Sequence, residues 1–414
     1  MSLWDICVVG AGPAGLAFIH TLEGHDDDLA ILVMDSGNIL NVRDKTVGED
    51  LIQGEGGAGL WSDGKFSFFP AGGPVYELHN ILPAYQRLTD MFSMYEVDVP
   101  PFQNEASSLS SSSSSSVLAE EKFVQKAYPS FYLSLKEREQ LIFKLSQHSL
   151  ATFLFNVRMS HFTVDKDSGL IDVHLNSNIN KVTCKHLVYA GGRFGPLGLP
   201  QSITTWQRVE FGVRIEVPSD LTLFNGETEA FIDPKFIHVD PESGTEYRTF
   251  CVCRNGSVVD TSFDGMWTCS GSSEMDGGIH NVGFNVRIKD PGLGHLVMQQ
   301  IAICQAKKML PFHQATFEDL QKVKGPFHFG DTAIYLIIKG LEKLREQFRE
   351  FGHPDVRFSG PTLEGVGYYP DIDFKTLQLK AHRNVTVIGD SSGIFRGTIP
   401  ALLSGIVVAQ KFLK

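Results

Sequence analysis

A strand, a glycine turn and the start of a helix within the first sixteen or so residues constrain this chain more than any other feature. The apolar run Ile6, Cys7, Val8, Val9 leads directly into Gly10, Ala11, Gly12, Pro13, Ala14, Gly15. In a β-α-β nucleotide unit, the first glycine permits the tight turn and the second lets the backbone approach a pyrophosphate. The third lets helix and strand pack closely. The helix N-terminus adds free N–H groups and the positive end of a dipole. A second apolar run, Ala30 to Met34, delivers Asp35 twenty residues after Gly15. A carboxylate there accepts ribose hydroxyls, and its charge argues against a 2′-phosphate. A bare hexapeptide of this kind is often only a turn, but the strand before it and the acid after it select the dinucleotide reading.

The rest of the composition narrows the class. At 414 residues, with 42% hydrophobic and 20% charged residues, the chain has material for two or three globular domains. A formal net charge of −12 removes the basic footprint that nucleic acid or an anionic membrane surface requires, so neither is expected as a partner. The first strand begins by Trp4, leaving no basic and apolar leader, and stretches such as Ala401 to Ala409 are too short to span a bilayer. A cytoplasmic location is expected. Cys7, Cys184, Cys251, Cys253, Cys269 and Cys304 form no CxxC pair and no metal spacing. Cys251 and Cys253 would share one face of a strand. A redox couple is one reading of that pair, and two packed thiols are the preferred one.

The fold class expected is α/β: a Rossmann-type domain, with a parallel sheet plus a β-meander, carrying an inserted mixed α+β domain. Residues 1–80 and 151–204 supply the first two parts of the nucleotide domain, and 358–414 the last. Residues 81–150 make a helical excursion, the pattern reading as helix from Val75 to Leu150 except for a serine-rich stretch, 106–116, which cannot bury apolar surface and is expected to be disordered. Phe153 to Asp165, Leu170 to Leu175 and Val182 to Tyr189 read as strands, the last running into Ala190, Gly191, Gly192. Residues 205–357 form the inserted domain, with strands around Phe211 to Val217, Arg248 to Cys253 and Asn281 to Arg287, and helices over Gly294 to Met309 and Ile334 to Phe351. A short strand, Thr386 to Gly389, and a closing helix, Gly397 to Leu413, end the chain. The glycine-dense segment Gly48 to Gly73 reads as backbone laid against a ligand.

The segments Gly56 to Lys65, Gly212 to Glu216, Thr249 to Cys253 and Val387 to Asp390 resemble those of FAD-dependent oxidoreductases of the glutathione-reductase-like superfamily, and more narrowly a group of poorly characterised FAD-dependent dehydrogenases. The resemblance spans nearly the whole chain outside the serine stretch. It implies FAD as cofactor, with Gly10, Gly12, Ala14 and Gly15 at the pyrophosphate and Asp35 and Ser36 at the adenosine ribose. Gly56, Gly57, Ala58, Ser62, Asp63 and Gly64 would run along the flavin edge, with Gly191 and Gly192 close by. Asp390 would take the ribityl chain beside Gly389, and Gly393, Thr398, Ile399 and Ala401 would bring a helix N-terminus to the flavin. Asp35 stands where many relatives have Glu.

A flavin enzyme needs its protons managed by the protein. Lys65, Glu364, Tyr368 and Arg396 are the candidate catalytic residues, each with a plainer alternative as a solvated charge, a loop acid or a packed ring. Arg214 and Arg287 would clamp a carboxylate substrate, against surface salt bridging. His238, His280, His313 and His328 lack metal-ligand spacing, and no metal is expected. Beyond the first unit no GxGxxG lies between an apolar strand run and a helix start, Gly54 to Gly59 fitting the letters without that context, and no CxxC pair is present, which weakens a disulfide reductase. The function expected is hydride transfer between a small-molecule substrate and flavin N5, with NAD(P)H or O2 as the other redox partner. A flavin monooxygenase or oxidase remains open, as does a non-catalytic binding protein on a flavoprotein-like fold.

Overall fold

The computed structural model describes residues 3–23, 29–105, 122–147, 151–226, 232–273, 278–322 and 329–413. The serine stretch 106–116 and His328 lie outside them. The N-terminal run forms β1 (Leu3–Val9), the glycine turn opens α1 (Pro13–Leu22), and the second run is β2 (Ile31–Met34). Proline suits the first helical position, because its missing N–H would have had no intrahelical partner. β1 and β2 pair in parallel with Val9 opposite Met34, which sets Gly10 and Asp35 together at one end of the sheet. Gly10 has φ 107°, and a Cβ there would come within 2.3 Å of the Ala190 carbonyl oxygen; on Gly15 it would meet Gly10 O at 2.0 Å. Those two glycines do what their spacing predicts.

Next come β3 (Lys65–Ser67), α2 (Ile81–Phe92), β4 (Val124–Lys126), β5 (Ser130–Tyr132) and α3 (Leu135–Ser146), the last opened by a capping box of Ser134 and Glu137. The helical reading of 75–150 therefore needs correcting at β4 and β5. Both are three residues long, too short for a two-residue period to show, and both exist because a distant strand pairs with them. A further break falls at Asn156, whose φ of 58° divides the expected single strand into β6 (Ala151–Leu154) and β7 (Met159–Val164). β8 (Ile171–Leu175) and β9 (Lys181–Tyr189) follow.

The middle of the chain gives β10 (Thr204–Pro218), β11 (Lys235–Val239), β12 (Glu246–Phe263), β13 (Met266–Ser272), β14 (Ile279–Ile288), α4 (Pro291–Ala306), β15 (Phe312–Ala315), α5 (Phe317–Gln321), α6 (Gly330–Gln347) and β16 (Arg357–Pro370). β17 (Val385–Val387) and α7 (Thr398–Ala409) close the described chain. One sheet runs β6-β2-β1-β9, with β17 beside β9 and all these pairs parallel; β9 continues into an antiparallel meander with β8 and β7. The other is antiparallel, ordered β15-β16-β10-β14-β12-β11-β4, with β13 on β12. Because β16 pairs along β10, the division expected at 357 falls at the first residue of a strand of this sheet.

Alternation along β10 gives the second sheet two unlike faces. Val209, Phe211, Val213, Ile215 and Val217 enter an apolar core under α4 and α6. Glu210, Gly212, Arg214 and Glu216 occupy the opposite face, which is also buried. α7 lies on α1. A Cβ on Gly405 would meet Ala14 O at 2.2 Å, and Phe412 packs edge-on against Phe18 with centroids 5.6 Å apart. The two helices run in the same direction. Among the described residues no helix is long and apolar enough to cross a membrane.

Candidate functional site

The N-termini of α1 and α7 meet at one residue of the glycine loop. A Cβ built on Gly59 would lie 3.5 Å from Thr398 Oγ1 and 3.8 Å from Pro13 Cγ, the first residues of the two helices. Neither helix has a side-chain N-cap, since Gly12 and Gly397 occupy the cap positions. Ile399 and Ala401 follow in the first turns of α7. Gly56 N donates to Ala11 O at 2.8 Å, and Gly57, Ala58 and Gly59 form a short 3-10 turn over Gly12. Two buried guanidiniums hold this loop by its carbonyls. Arg43 donates to Glu55 O at 2.5 Å, to Gly57 O at 3.0 Å and to Asp50 O at 3.0 Å, and it lies over the Trp61 ring. Arg138 donates to Leu60 O, to Gly59 O at 3.4 Å and to Ser62 O at 3.3 Å. Burial brings Arg43 down to about 10 against the pull of Asp35, Asp50 and Glu55. The sequence reading missed both arginines.

Two glycines leave open space in this region. A Cβ on Gly12 would meet nothing closer than Gly57 Cα at 3.8 Å, and one on Gly192 would meet nothing within 4 Å. Gly191, by contrast, packs on the Tyr189 ring, whose hydroxyl donates to Gly195 O at 2.7 Å. Gly389 presses on Ala14, and its N–H donates to Ser404 Oγ at 2.9 Å.

Asp35 is more occupied than a simple ribose acceptor. Its Oδ2 accepts from Ala11 N at 2.8 Å, and its Oδ1 accepts from Gly37 N at 2.9 Å and Gly54 N at 2.8 Å. A carboxylate offers about four acceptor positions, so three are spent tying the first turn to the second loop. Ser36 Oγ donates to Gln53 Oε1 at 2.5 Å.

Around Asp390 the structure brings several expected residues together. Arg396 Nε lies 3.2 Å from Asp390 Oδ2, and its Nη1 lies 3.1 Å from Glu364 Oε2; Arg193 holds the other oxygen of Glu364 at 2.8 Å. Glu364 is therefore a strand residue of β16 rather than a loop acid. Gly393 O accepts from Arg208 Nη1 at 2.6 Å. Behind them sits Glu210, 2% exposed, with Arg208 Nε at 2.5 Å, Arg287 Nη2 at 2.8 Å, Arg248 Nη1 at 3.8 Å and Arg396 Nη1 at 3.9 Å. Burial opposes its charge, but Arg287, Arg396 and Arg208 outweigh burial and hold Glu210 at about 2. Glu210 and Arg248 were not singled out from sequence, although Glu210 heads the charged alternation in β10.

The remaining expected residues lie elsewhere or play other parts. Lys65 is buried between Asp63 at 2.9 Å and Asp233 at 3.0 Å, and donates to Val252 O at 2.7 Å. Burial works against its charge, yet Asp233 and Asp63 keep it well above the ordinary lysine range, fixing it as a cation that ties β3 to the second sheet. Ser62 Oγ donates back to Gly59 O, and Gly64 O accepts from Leu133 N. Tyr368 is away from this cluster, its hydroxyl 2.7 Å from His295 Nε2 beside Trp206. Arg214 is not a surface salt bridge: it is 1% exposed and donates to Cys251 O at 2.8 Å and to Asn281. Cys251, with φ 46°, sits in a bulge, so the regular strand pairing with Cys253 fails. Burial raises both thiols. Asp260 and Cys269, paired across the β12–β13 hairpin, and the distant His313 bring ligand atoms within 4.8 Å of one another, a grouping that linear spacing does not reveal.

No family model matches the chain, and no curated protein matches it. Among solved structures it is similar to the open form of NikD, described as an unusual amino acid oxidase essential for nikkomycin biosynthesis, at 13% identity and TM-score 0.44, over 99% of this chain and 94% of that one. It is similar to a variant of the halogenase PltM in complex with FAD, at 12% identity and TM-score 0.43, over 100% and 70%. Aklavinone-11 hydroxylase with FAD and aklavinone is matched at 12% identity and TM-score 0.43, over 100% and 63%. At these scores the likeness carries no assignment, which rests on the residues.

Proposed function

We propose that this chain binds FAD across its two end motifs and acts as an FAD-dependent oxidoreductase, dehydrogenase-like, on a small organic substrate. The observation that carries this reading is the convergence of two parallel helix N-termini on Gly59. Each helix end carries roughly half a positive charge. Two such ends side by side, neither closed by a side chain, favour an anion lying between them. A pyrophosphate supplies it. The open Cβ position of Gly12 fits the same group, because that backbone can be approached where a side chain would intrude.

In this reading, N–H groups at Ala14 and Gly15 face the phosphates. Arg43 and Arg138 hold the Gly56–Gly59 backbone in place by its carbonyls. Asp35 keeps the two loops in register and has acceptor capacity left for one ribose hydroxyl, with Ser36 beside it. Asp390 accepts from the ribityl chain, oriented by Arg396, and Glu364 orients Arg396 in turn. The flavin, when bound, supplies two-electron redox chemistry. The substrate end of the site is the charged face of the second sheet. A dithiol mechanism is not supported: raised thiols at Cys251 and Cys253 lack the thiolate character such chemistry uses.

Anaerobic titration with metabolites, NADH and NADPH tests the reaction class. Flavin bleaching by a metabolite supports the dehydrogenase reading. Bleaching by NADH or NADPH, followed by rapid reoxidation by oxygen with incorporation of an oxygen atom into a substrate, would replace it with a monooxygenase.

A further inference from the structure

One row of side chains across the second sheet contains buried polar groups that no described residue satisfies. Ile237, Arg248, Asn285, Gly212 and Thr362 stand opposite one another on β11, β12, β14, β10 and β16, and so share a face. Arg248 is 7% exposed, and among the described residues its guanidinium makes no hydrogen bond; its nearest carboxylates are Glu210 at 3.8 Å and Glu246 at 3.9 Å. Those two acids are already engaged by Arg208, Arg287 and Lys289 at 2.5 to 3.3 Å. Lys235 lies on the same face, two residues from Ile237. It is half-buried, and no carboxylate of the described residues lies within ion-pair distance of it.

The neighbouring amide adds a different requirement. Asn285 Nδ2 donates to Glu210 Oε2 at 3.2 Å, which fixes the amide orientation and leaves Oδ1 as a buried acceptor without a partner among the described residues. Thr362 Oγ1, 1% exposed, is also unpartnered. A buried group left in this way costs about 1–3 kcal/mol, and more if charged. A ligand that satisfies the row must bring an anion for the cations and, close to it, a donor for Asn285.

We propose that Arg248, Lys235 and Asn285 form a substrate subsite for a 2-amino or 2-hydroxy acid, the two cations taking its carboxylate and Asn285 Oδ1 accepting from the amino or hydroxyl group at C2. A simple anion would leave Oδ1 unsatisfied, and a neutral amine or alcohol would leave Arg248 so. The subsite adjoins the expected flavin side through Glu210, which reaches both Arg248 and Arg396. Lys235 adds a pH signature. Burial, aided by Arg287 and Lys126 and opposed by Glu210 and Asp233, brings it down to about 8. The carboxylate is bound by the charged form, so affinity falls as pH rises through about 8.

The place of this subsite in a reaction rests on the FAD reading, but its binding does not. Equilibrium dialysis of the purified protein would use lactate, phenyllactate and 2-hydroxyglutarate, their 2-amino counterparts, and propionate, phenylpropionate and glutarate as controls without a C2 donor. The expected result is that at least one hydroxy or amino acid binds about tenfold or more tighter than its control, the equivalent of about 1.4 kcal/mol. Arg248→Met and, at the more exposed position, Lys235→Met each weaken that ligand about tenfold or more. Lys235→Met also abolishes the loss of affinity above about pH 8. Asn285→Ala brings acid and control together. Circular dichroism confirms folding of each variant. Failure of every compound to bind, equal binding of acids and controls, or unchanged affinity in folded Arg248→Met and Lys235→Met overturns the proposal. Flavin absorbance of the same samples separates the readings: colourless protein that still discriminates C2 donors refutes the cofactor and retains the subsite, and yellow protein without discrimination does the reverse.

Discussion

Replacing Glu210 with Gln tests the charged face most sharply, because one buried carboxylate faces four guanidiniums within 4 Å. Glutamine keeps the volume and one acceptor but removes the charge. Glu210 is held at about 2 against a reference of 4.5. At about 1.4 kcal/mol per unit, that shift corresponds to about 3 kcal/mol of stabilisation by the charged form. It falls within the range of about 3–5 kcal/mol for breaking a buried ion pair from one side. The sign follows from the direction: the folded value lies below the unfolded one, so the contribution is complete above about 4.5 and is lost as pH falls towards about 2. Urea unfolding of Glu210→Gln and the parent, followed by circular dichroism and tryptophan fluorescence, should differ by about 3 kcal/mol near neutral pH. The gap should narrow steadily below about pH 4.5. A gap under about 1 kcal/mol, the scale of an exposed pair, or one that does not change with pH, would refute the electrostatic reading.

Three other outcomes follow from single sites. Gly12→Ala, at φ −79° with no atom closer than 3.8 Å to the new Cβ, should fold with little change in melting temperature yet lose FAD affinity about tenfold or more; undiminished flavin content would remove the phosphate from that position. Lys65→Met leaves Asp63 and Asp233 without their shared cation, and should lower unfolding stability by about 3–5 kcal/mol, a loss that calorimetry and urea titration both read. Cys253, buried and with its thiol raised, should resist iodoacetamide in the folded protein and react after urea unfolding, and rapid native labelling on peptide mapping would contradict the packed-thiol reading.

The first β-α-β unit was legible because its signals are local. Gly10 and Gly15 meet backbone atoms that a Cβ would strike, and a strand and an acid frame them. Pairing information is what the sequence lacks. Lys65 reads as the charged end of a glycine loop, and only the fold brings in Asp233, 168 residues away. The alternation of Glu210, Gly212, Arg214 and Glu216 with valine, phenylalanine and isoleucine was available as the signal of a polar face on β10, though the reading stopped at a strand. Which arginine would meet which acid depended on the order β16-β10-β14-β12, and a two-residue period carries no strand order. The same limit hid β4 and β5, and made a loop of the β16 strand that carries Glu364. Asp35 follows β2 beside the glycine turn, and the backbone N–H groups of two loops claim most of its capacity, which no local signal announces.

The central claim is that both ends of the chain enclose one FAD. The direct measurement is the absorbance spectrum of the purified protein, with and without incubation in excess FAD, followed by acid release and identification of the flavin. A flavin spectrum with close to one FAD per chain, lost in Gly12→Ala, is the result expected. Protein that stays colourless and takes up no FAD would contradict the account.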